Sequence, residues 1–287
     1  MMGQEQLVEA ARKIRLVAVD LDGTGLTDEK EFTAYTRRTL QALIDRGYEV
    51  VPTTGRSYYG LVENLLKLDG VKYVISADGA FVTEHATGTR IREKLIPCEA
   101  AASLADELLE PGNCVYYHRN DARCTHVMAC TSPDIYRNQI WRPSFPPKDE
   151  LITENFGDYI REKGEDVVKI GLFFDAAAYG FERYEMLIRE KYPEVEKFRA
   201  DKNSLEITSC ETSKGKALAF LADRLGLEPS EICAFGDNGN DVEMLRYAGL
   251  GVAMGNAIPE AREAADHVIG TNNEESVAKF VEEYFLK

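Results

Sequence analysis

The stretch that decides the fold is IRLVAVDLDGT, residues 14–24, in which an apolar run ends in two carboxylates separated by one residue. An apolar, β-branched run of this length predicts a buried strand, and parallel sheets bind their ligands beyond the carboxyl ends of the strands. Side chains of an extended chain alternate, so Asp20 and Asp22 face the same side, and Gly23 permits a sharp turn after them. We therefore expect both carboxylates to face one small ligand, one attacking and the other handling protons.

The same residues also permit a calcium loop, since Asp20, Asp22, Gly25 and Glu31 occupy positions 1, 3, 6 and 12 of an EF-hand. An EF-hand requires an amphipathic helix before its first ligand, whereas the residues before Asp20 have the pattern of a strand. We therefore favour a site at the end of a strand.

The two ends of the chain alternate short apolar runs with helical segments, which predicts an α/β fold with a doubly wound, Rossmann-like parallel sheet. The predicted strands are Ile14–Val19, Tyr48–Val51, Val71–Ile75, Ile232–Phe235 and Leu250–Ala253, and the predicted helices are Thr33–Arg46, Ser57–Leu68, Lys214–Leu225, Asp241–Tyr247 and Glu275–Phe285. The middle of the chain, with a proline-rich stretch at residues 143–147, follows the order αββαβαββ. We assign residues 1–86 and 206–287 to the core and residues 87–205 to an inserted α+β domain.

A second strand end carries acidic residues in ICAFGDNGND, residues 232–241. If this strand lies beside the first, Asp20, Asp22 and Asp237 would repel one another unless a divalent cation sat among them. Hard oxygen ligands favour Mg²⁺ over zinc. We expect Asp241, one helical turn further on, to lie outside the direct ligands.

Two further segments have the character of anion sites. VPTTGR, residues 51–56, runs from a strand into a helix and presents a hydroxyl and backbone N–H groups, although Arg56 could simply form a structural ion pair. TSKGK, residues 212–216, opens a helix, where a cation is unfavourable against the helix dipole and so indicates a nearby anion. We expect Lys214 to clamp a phosphate and Lys216 to be solvated.

The four segments, in this order, resemble the four motifs of the haloacid dehalogenase superfamily, and their details resemble its Cof-type phosphatase branch. GVAMGNA at residues 251–257 is also similar to that branch, and the element order of the middle resembles its type IIB cap. The resemblance implies a Mg²⁺-dependent phosphohydrolase of small phosphate esters, such as sugar phosphates, that acts through an aspartyl-phosphate intermediate.

The resemblance also implies roles for individual residues, in a catalytic, a metal-binding and a phosphate-binding group. Asp20 would be the nucleophile and Asp22 the general acid and base; Asp20, Asp237 and the backbone carbonyl of Asp22 would bind Mg²⁺, with Asp241 behind them; Thr54, Gly55, Lys214 and Asn240 would hold the phosphoryl group.

Three positions depart from the branch: Gly25 stands in place of a leucine, Asp78 in place of an asparagine and Ser276 in place of a common glycine. None of these departures removes a catalytic group. Asp78 adds negative charge near the expected site, which could alter the preferred substrate.

Composition limits the possible partners. The net charge of −15 would repel nucleic acids and anionic membranes, so we expect a small phosphorylated metabolite as the ligand. The first fifteen residues contain neither a signal-peptide core nor a membrane span, which predicts a cytoplasmic protein. Nothing in the sequence marks an oligomer interface.

The six cysteines form no C-x-x-C pair, which predicts reduced thiols rather than a disulfide scaffold. His118, Cys124, His126 and Cys130 carry zinc-binding side chains, but their irregular spacing favours a β-hairpin of Val115–His118 with His126–Ala129.

Two other functions use the same residues. A phosphomutase would form the same intermediate and return the phosphoryl group to a sugar. A phosphosugar-binding regulator would bind without turnover, yet all the implied catalytic residues are present.

Overall fold

The chain folds into two compact units in the computed structural model, which describes residues 2–58, 61, 68–120, 126–130, 150–152, 155–174, 180–201 and 203–287. The first unit combines Met1–Glu93 with Ser213–Lys287, and the second unit is Lys94–Thr212. The units divide after Glu93 and Thr212 rather than at residues 86 and 205. The first junction lies later because a hairpin after residue 80 stays paired with the sheet of the first unit.

The first unit is built on an eight-stranded sheet in the order β14-β13-β12-β1-β2-β3-β4-β5. Its strands are β1 Leu16–Asp20, β2 Glu49–Thr53, β3 Tyr73–Ser76, β4 Phe81–Glu84, β5 Thr89–Glu93, β12 Ile232–Gly236, β13 Leu250–Ala253 and β14 His267–Val268, and its helices are α1 Gln4–Ala11, α2 Ala34–Asp45, α6 Lys214–Leu225, α7 Val242–Tyr247, α8 Pro259–Ala264 and α9 Ser276–Tyr284. The strands from β14 to β3 pair in parallel, and the β4–β5 hairpin continues the sheet antiparallel.

Alternate residues of β1 enter two different hydrophobic cores, because side chains of a strand point to opposite faces of the sheet. Val17 and Val19 belong to one core, while Leu16 and Ala18 belong to the other. Every residue of β1 is buried. The sheet is therefore covered on both faces, and the predicted doubly wound fold is confirmed.

The second unit has a six-stranded sheet in the order β10-β11-β9-β6-β7-β8, in which all pairs are antiparallel except β7–β8. Its strands are β6 Cys114–Arg119, β7 His126–Cys130, β8 Glu150–Ile152, β9 Val167–Phe173, β10 Val195–Asp201 and β11 Ser204–Ser209, and its helices are α3 Cys98–Leu108, α4 Phe156–Lys163 and α5 Phe181–Lys191. Among the described residues of this unit the elements follow the order αβββαβαββ, with β8 added to the predicted αββαβαββ. β8 has only three residues, too few to show a period in the sequence.

The predicted hairpin of the second unit is confirmed, since β6 and β7 pair with His118 opposite His126. The zinc alternative includes Cys124, which lies outside the described residues. Cys114 is disulfide-bonded, so the prediction of reduced thiols is wrong at this position, while Cys98 and Cys233 carry free thiols.

Most of the predicted helix Ser57–Leu68 and the proline-rich stretch at residues 143–147 lie outside the described residues. None of the helices in the described part of the chain combines the length and apolar character that crossing a bilayer demands.

Candidate active site

Three neighbouring strands deliver polar residues to the same edge of the first sheet. β1 pairs in parallel with β2 on one side and with β12 on the other, with Asp20 opposite Thr53 and Val19 opposite Phe235. Parallel strands end at the same edge, so Asp20 comes close to the residues that follow β2 and β12. The EF-hand alternative is wrong, because the strand β1, and not a helix, leads directly into Asp20.

Lys214 is the buried cation of this edge. It is the first residue of α6, whose N-terminus is capped by Ser213 Oγ accepting from Lys216 N at 2.9 Å. Its Nζ donates to Asp20 Oδ1 and to Asp241 Oδ1, each at 2.6 Å. The Lys214 side chain is only 1% exposed, so both ion pairs are shielded from water. Burial alone would lower the pKa of Lys214, but attraction to these carboxylates raises it above its ordinary value, which keeps the ammonium charged.

Three carboxylates share this single ammonium. Oxygen atoms of Asp20, Asp237 and Asp241 lie within 4.8 Å of one another. Burial and repulsion from Asp241 raise the pKa of Asp20 well above its ordinary value, and the same two causes raise the pKa of Asp237 to about 6. The cluster therefore carries more negative charge than Lys214 can balance.

Asp241 lies inside this cluster because the chain turns tightly after β12. A 3₁₀ turn at Gly239–Asp241 brings its carboxylate back onto the strand end, where Oδ2 accepts from the backbone N–H groups of Asp237 and Asn238, both at 3.0 Å. Its side chain is fully buried. Asp241 thus holds Lys214 with one oxygen and the loop that carries Asp237 with the other.

Asp237 is held by two side chains that were not predicted to contact it. Thr24 Oγ1 donates to its Oδ1 at 3.1 Å, and Asn256 Nδ2 approaches its Oδ2 at 3.5 Å. Asn256 Nδ2 also donates to Gly23 O at 2.8 Å. Gly23 has φ +83°, and a Cβ there would lie 2.3 Å from Asp237 Oδ2, so only glycine permits this approach. Thr24 lies in the segment of residues 14–24 and Asn256 in that of residues 251–257, but the fold determines which side chains they contact.

The Asp22 carboxylate faces cations instead of joining the acidic cluster. Arg56 donates to it through Nε at 2.7 Å and Nη2 at 2.6 Å, and Lys30 Nζ lies 2.9 Å from its Oδ1. Partial burial would raise the pKa of Asp22, but these hydrogen bonds outweigh that effect and hold it below its ordinary value. Arg56 thus forms the ion pair that was the alternative prediction for it, and its partner is Asp22, a candidate catalytic residue.

The loop after β2 carries Thr54 and Gly55, two of the predicted phosphate-binding residues. Thr54 is buried, and its Oγ1 accepts from Arg56 N at 3.1 Å. Asp78 lies directly against Gly55 and accepts a hydrogen bond from Asn240 Nδ2 at 2.8 Å. The structure therefore connects Gly55 and Asn240, two of the four predicted phosphate-binding residues, through the side chain of Asp78.

The acidic cluster suits a hard divalent cation such as Mg²⁺. Its donors are all carboxylate oxygens, which Mg²⁺ prefers over the nitrogen and sulfur ligands of zinc sites. The raised pKa values of Asp20 and Asp237 indicate a deficit of positive charge at this position. The residues present thus fit the metal that the sequence predicts.

Comparison with known proteins gives the same assignment over nearly the whole chain. The sequence model of the haloacid dehalogenase-like hydrolase family matches residues 17–281. The Bacillus subtilis protein YxeH is 32% identical over 282 residues, covering 95% of this chain and 98% of the relative. The 5-amino-6-(5-phospho-D-ribitylamino)uracil phosphatase YitU of the same organism is 28% identical over 283 residues, covering 94% of this chain and 97% of that protein.

A solved structure agrees with the fold. A haloacid dehalogenase-like hydrolase from Bacteroides thetaiotaomicron superposes with a TM-score of 0.76 at 25% identity, covering 95% of this chain and all of that one. The chain belongs to the haloacid dehalogenase-like hydrolase family, which confirms the predicted family and the prediction of a hydrolase.

Proposed function

We propose that this protein is a Mg²⁺-dependent phosphatase of small phosphate esters that acts through an aspartyl-phosphate intermediate on Asp20. The observation that carries the proposal is the buried Asp20 carboxylate, held by Lys214 at 2.6 Å within a cluster of oxygen ligands. A relative that covers nearly the same length is named a phosphatase of a phosphorylated ribitylaminouracil, which favours a metabolite phosphate as the substrate.

Asp20, Asp237 and the backbone carbonyl of Asp22 would hold the metal, with Asp241 beside them. A bound Mg²⁺ would supply positive charge that offsets the repulsion between the carboxylates and a phosphate dianion. Lys214 contributes from the protein side, because its ammonium already contacts Asp20 and can also face a phosphoryl oxygen.

The first half of the reaction transfers the phosphoryl group to the protein. An Asp20 carboxylate oxygen forms a bond to phosphorus in line with the leaving oxygen, and the bond from phosphorus to that oxygen breaks. Asp22 gives its proton to the departing alkoxide. Thr54, Gly55, Lys214 and Asn240 hold the phosphoryl oxygens during the transfer.

The second half releases phosphate. Asp22, now ionised, removes a proton from water, and the resulting oxygen attacks phosphorus while the bond to Asp20 breaks. The cations around Asp22 favour its ionised form, which suits this step and makes the earlier proton donation the harder one.

Release of inorganic phosphate from a panel of esters tests the proposal. The panel contains 5-amino-6-(5-phospho-D-ribitylamino)uracil, pyridoxal phosphate, FMN, sugar phosphates and p-nitrophenyl phosphate, each with Mg²⁺ and with excess EDTA. We expect Mg²⁺-dependent release by the native protein, loss of turnover in Asp20→Asn, and native activity in the control Asp223→Asn, an exposed position on α6. Sugar-phosphate isomers without free phosphate would identify a mutase, and tight binding without turnover would identify a regulator.

A further inference from the structure

The loop that joins β3 to β4 has an unfavourable backbone. Ala77 has φ +50°, Asp78 has φ +56° and Gly79 has φ +96°. Left-handed backbone is unfavourable for residues that carry a Cβ, and a run of it persists only where the surroundings fix it. The loop therefore needs contacts with its surroundings that hold it in this conformation.

The loop is fixed against two of the four motif segments. Ala77 N donates to Arg56 O at 2.8 Å, and Asp78 N donates to Thr54 O at 3.1 Å. On the other side, a Cβ on Gly79 would lie 2.1 Å from Ser213 O, so the loop packs directly on the residue before Lys214. These contacts set the position of the Asp78 side chain.

The Asp78 carboxylate contacts residues that we expect to hold the phosphoryl group. It is only 3% exposed, and its Oδ1 accepts from Asn240 Nδ2 at 2.8 Å. A Cβ on Gly55 would lie 2.7 Å from the same oxygen, so the carboxylate also closes one side of that glycine. Its negative charge also raises the pKa of Lys214, although less than the charges of Asp20 and Asp241 do.

We propose that Asp78 is a positioning residue of the phosphoryl pocket, which orients the Asn240 amide and whose fixed charge weakens the retention of inorganic phosphate. The inference rests on the proposed function. The hydrogen bond fixes which way the Asn240 amide points, and a buried negative charge repels a phosphate more strongly than the same charge would in water. An asparagine at this position would keep an acceptor oxygen for Asn240 and lose the charge.

Two substitutions separate these effects. Asp78→Asn removes only the charge, and asparagine tolerates the positive φ, so we expect a native melting temperature and about tenfold tighter binding of inorganic phosphate, or about 1.4 kcal/mol. Asp78→Ala also removes the acceptor, so we expect a KM for the ester about tenfold higher than in Asp78→Asn. Asp223→Asn makes the same change of charge at an exposed position of α6 and should leave both values unchanged.

Calorimetric titration of inorganic phosphate in the presence of Mg²⁺ measures the first effect without turnover. Tighter binding to Asp78→Asn than to the native protein supports the inference, even if no ester were hydrolysed and the proposed function failed. Equal affinities, or no phosphate binding by either protein, would overturn it.

A double-mutant cycle tests whether Asp78 acts through Asn240. Asn240→Ala should raise KM in the native background and have little further effect in Asp78→Ala, because the amide is no longer oriented there. Additive effects on KM would show that the two residues act independently, which a positioning role does not permit.

Discussion

Replacing Lys214 by methionine should strongly destabilise the first unit when no metal is added. The ammonium is 1% exposed and lies 2.6 Å from Asp20 and Asp241, whose side chains are 5% and 0% exposed. Methionine keeps most of the length of the side chain and removes its charge, which leaves both carboxylates without their cation. Breaking a buried ion pair in this way costs about 3–5 kcal/mol. For a unit of this size, that cost lowers the melting temperature by roughly 10 °C.

Scanning calorimetry in EDTA at pH 8 and pH 5 measures this loss of stability and the direction in which it changes with pH. Because the pKa of Asp20 is raised in the folded protein, the fold retains a proton that the unfolded chain has released, and stability falls as pH rises between the ordinary and the raised pKa. Loss of Lys214 should raise the pKa of Asp20 further, so the stability lost in Lys214→Met should be smaller at pH 5 than at pH 8. Lys216→Met, at an exposed position of the same helix, is the matched control. If the two variants melted within about 2 °C of each other at pH 8, the ion pairs would not have the stabilising role inferred here.

Arg56→Ala should move the basic limb of the pH profile of kcat/KM to higher pH, because the pKa of Asp22 would rise without its main cationic partner; an unmoved limb would argue against Asp22 as the proton donor. Mg²⁺ at a hundred times its dissociation constant should add about 2.7 kcal/mol to the free energy of unfolding, and Asp237→Asn should lose most of this gain; an equal gain in both proteins would place the cation elsewhere. Gly23→Ala should lower kcat/KM about a hundredfold, because the added Cβ would displace the Asp237 carboxylate. The control Gly47→Ala should keep native activity, because Gly47 has φ +90° but no atom lies within 4 Å of its added Cβ. Equal losses in the two variants would assign the effect to backbone strain.

Local sequence signals predicted the elements that begin and end at distinctive residues. α6 has the predicted bounds Lys214–Leu225, because Ser213 caps its first turn and Gly226 ends it in a left-handed conformation. β1 runs to Asp20, so the expectation that this residue stands at a strand end follows from the apolar run alone.

The remaining features depend on residues that are distant in sequence. β4 and β5 were not predicted, because a short strand at the edge of a sheet carries little periodic signal. Asp241 was expected outside the direct ligands, yet its carboxylate lies in the acidic cluster because a 3₁₀ turn, which the spacing does not reveal, brings it back. The pairing of Asp22 with Arg56 joins residues 34 positions apart.

The order of strands in the first sheet also bears on how the protein is made. β1 lies between β2 and β12, and its partner strand Ile232–Gly236 is more than 200 residues further along the chain. At about 5–20 residues per second, a ribosome needs roughly 10–40 s to add that strand after β1 has emerged. During this interval β1, a strand whose residues are all buried in the folded protein, has one row of backbone groups without its final partner, a condition that favours aggregation. The intervening segment has a hydrophobic core of its own and could fold in the meantime. We therefore expect a chaperone that binds nascent chains to contact residues around β1, and to be released once β12 has been synthesised.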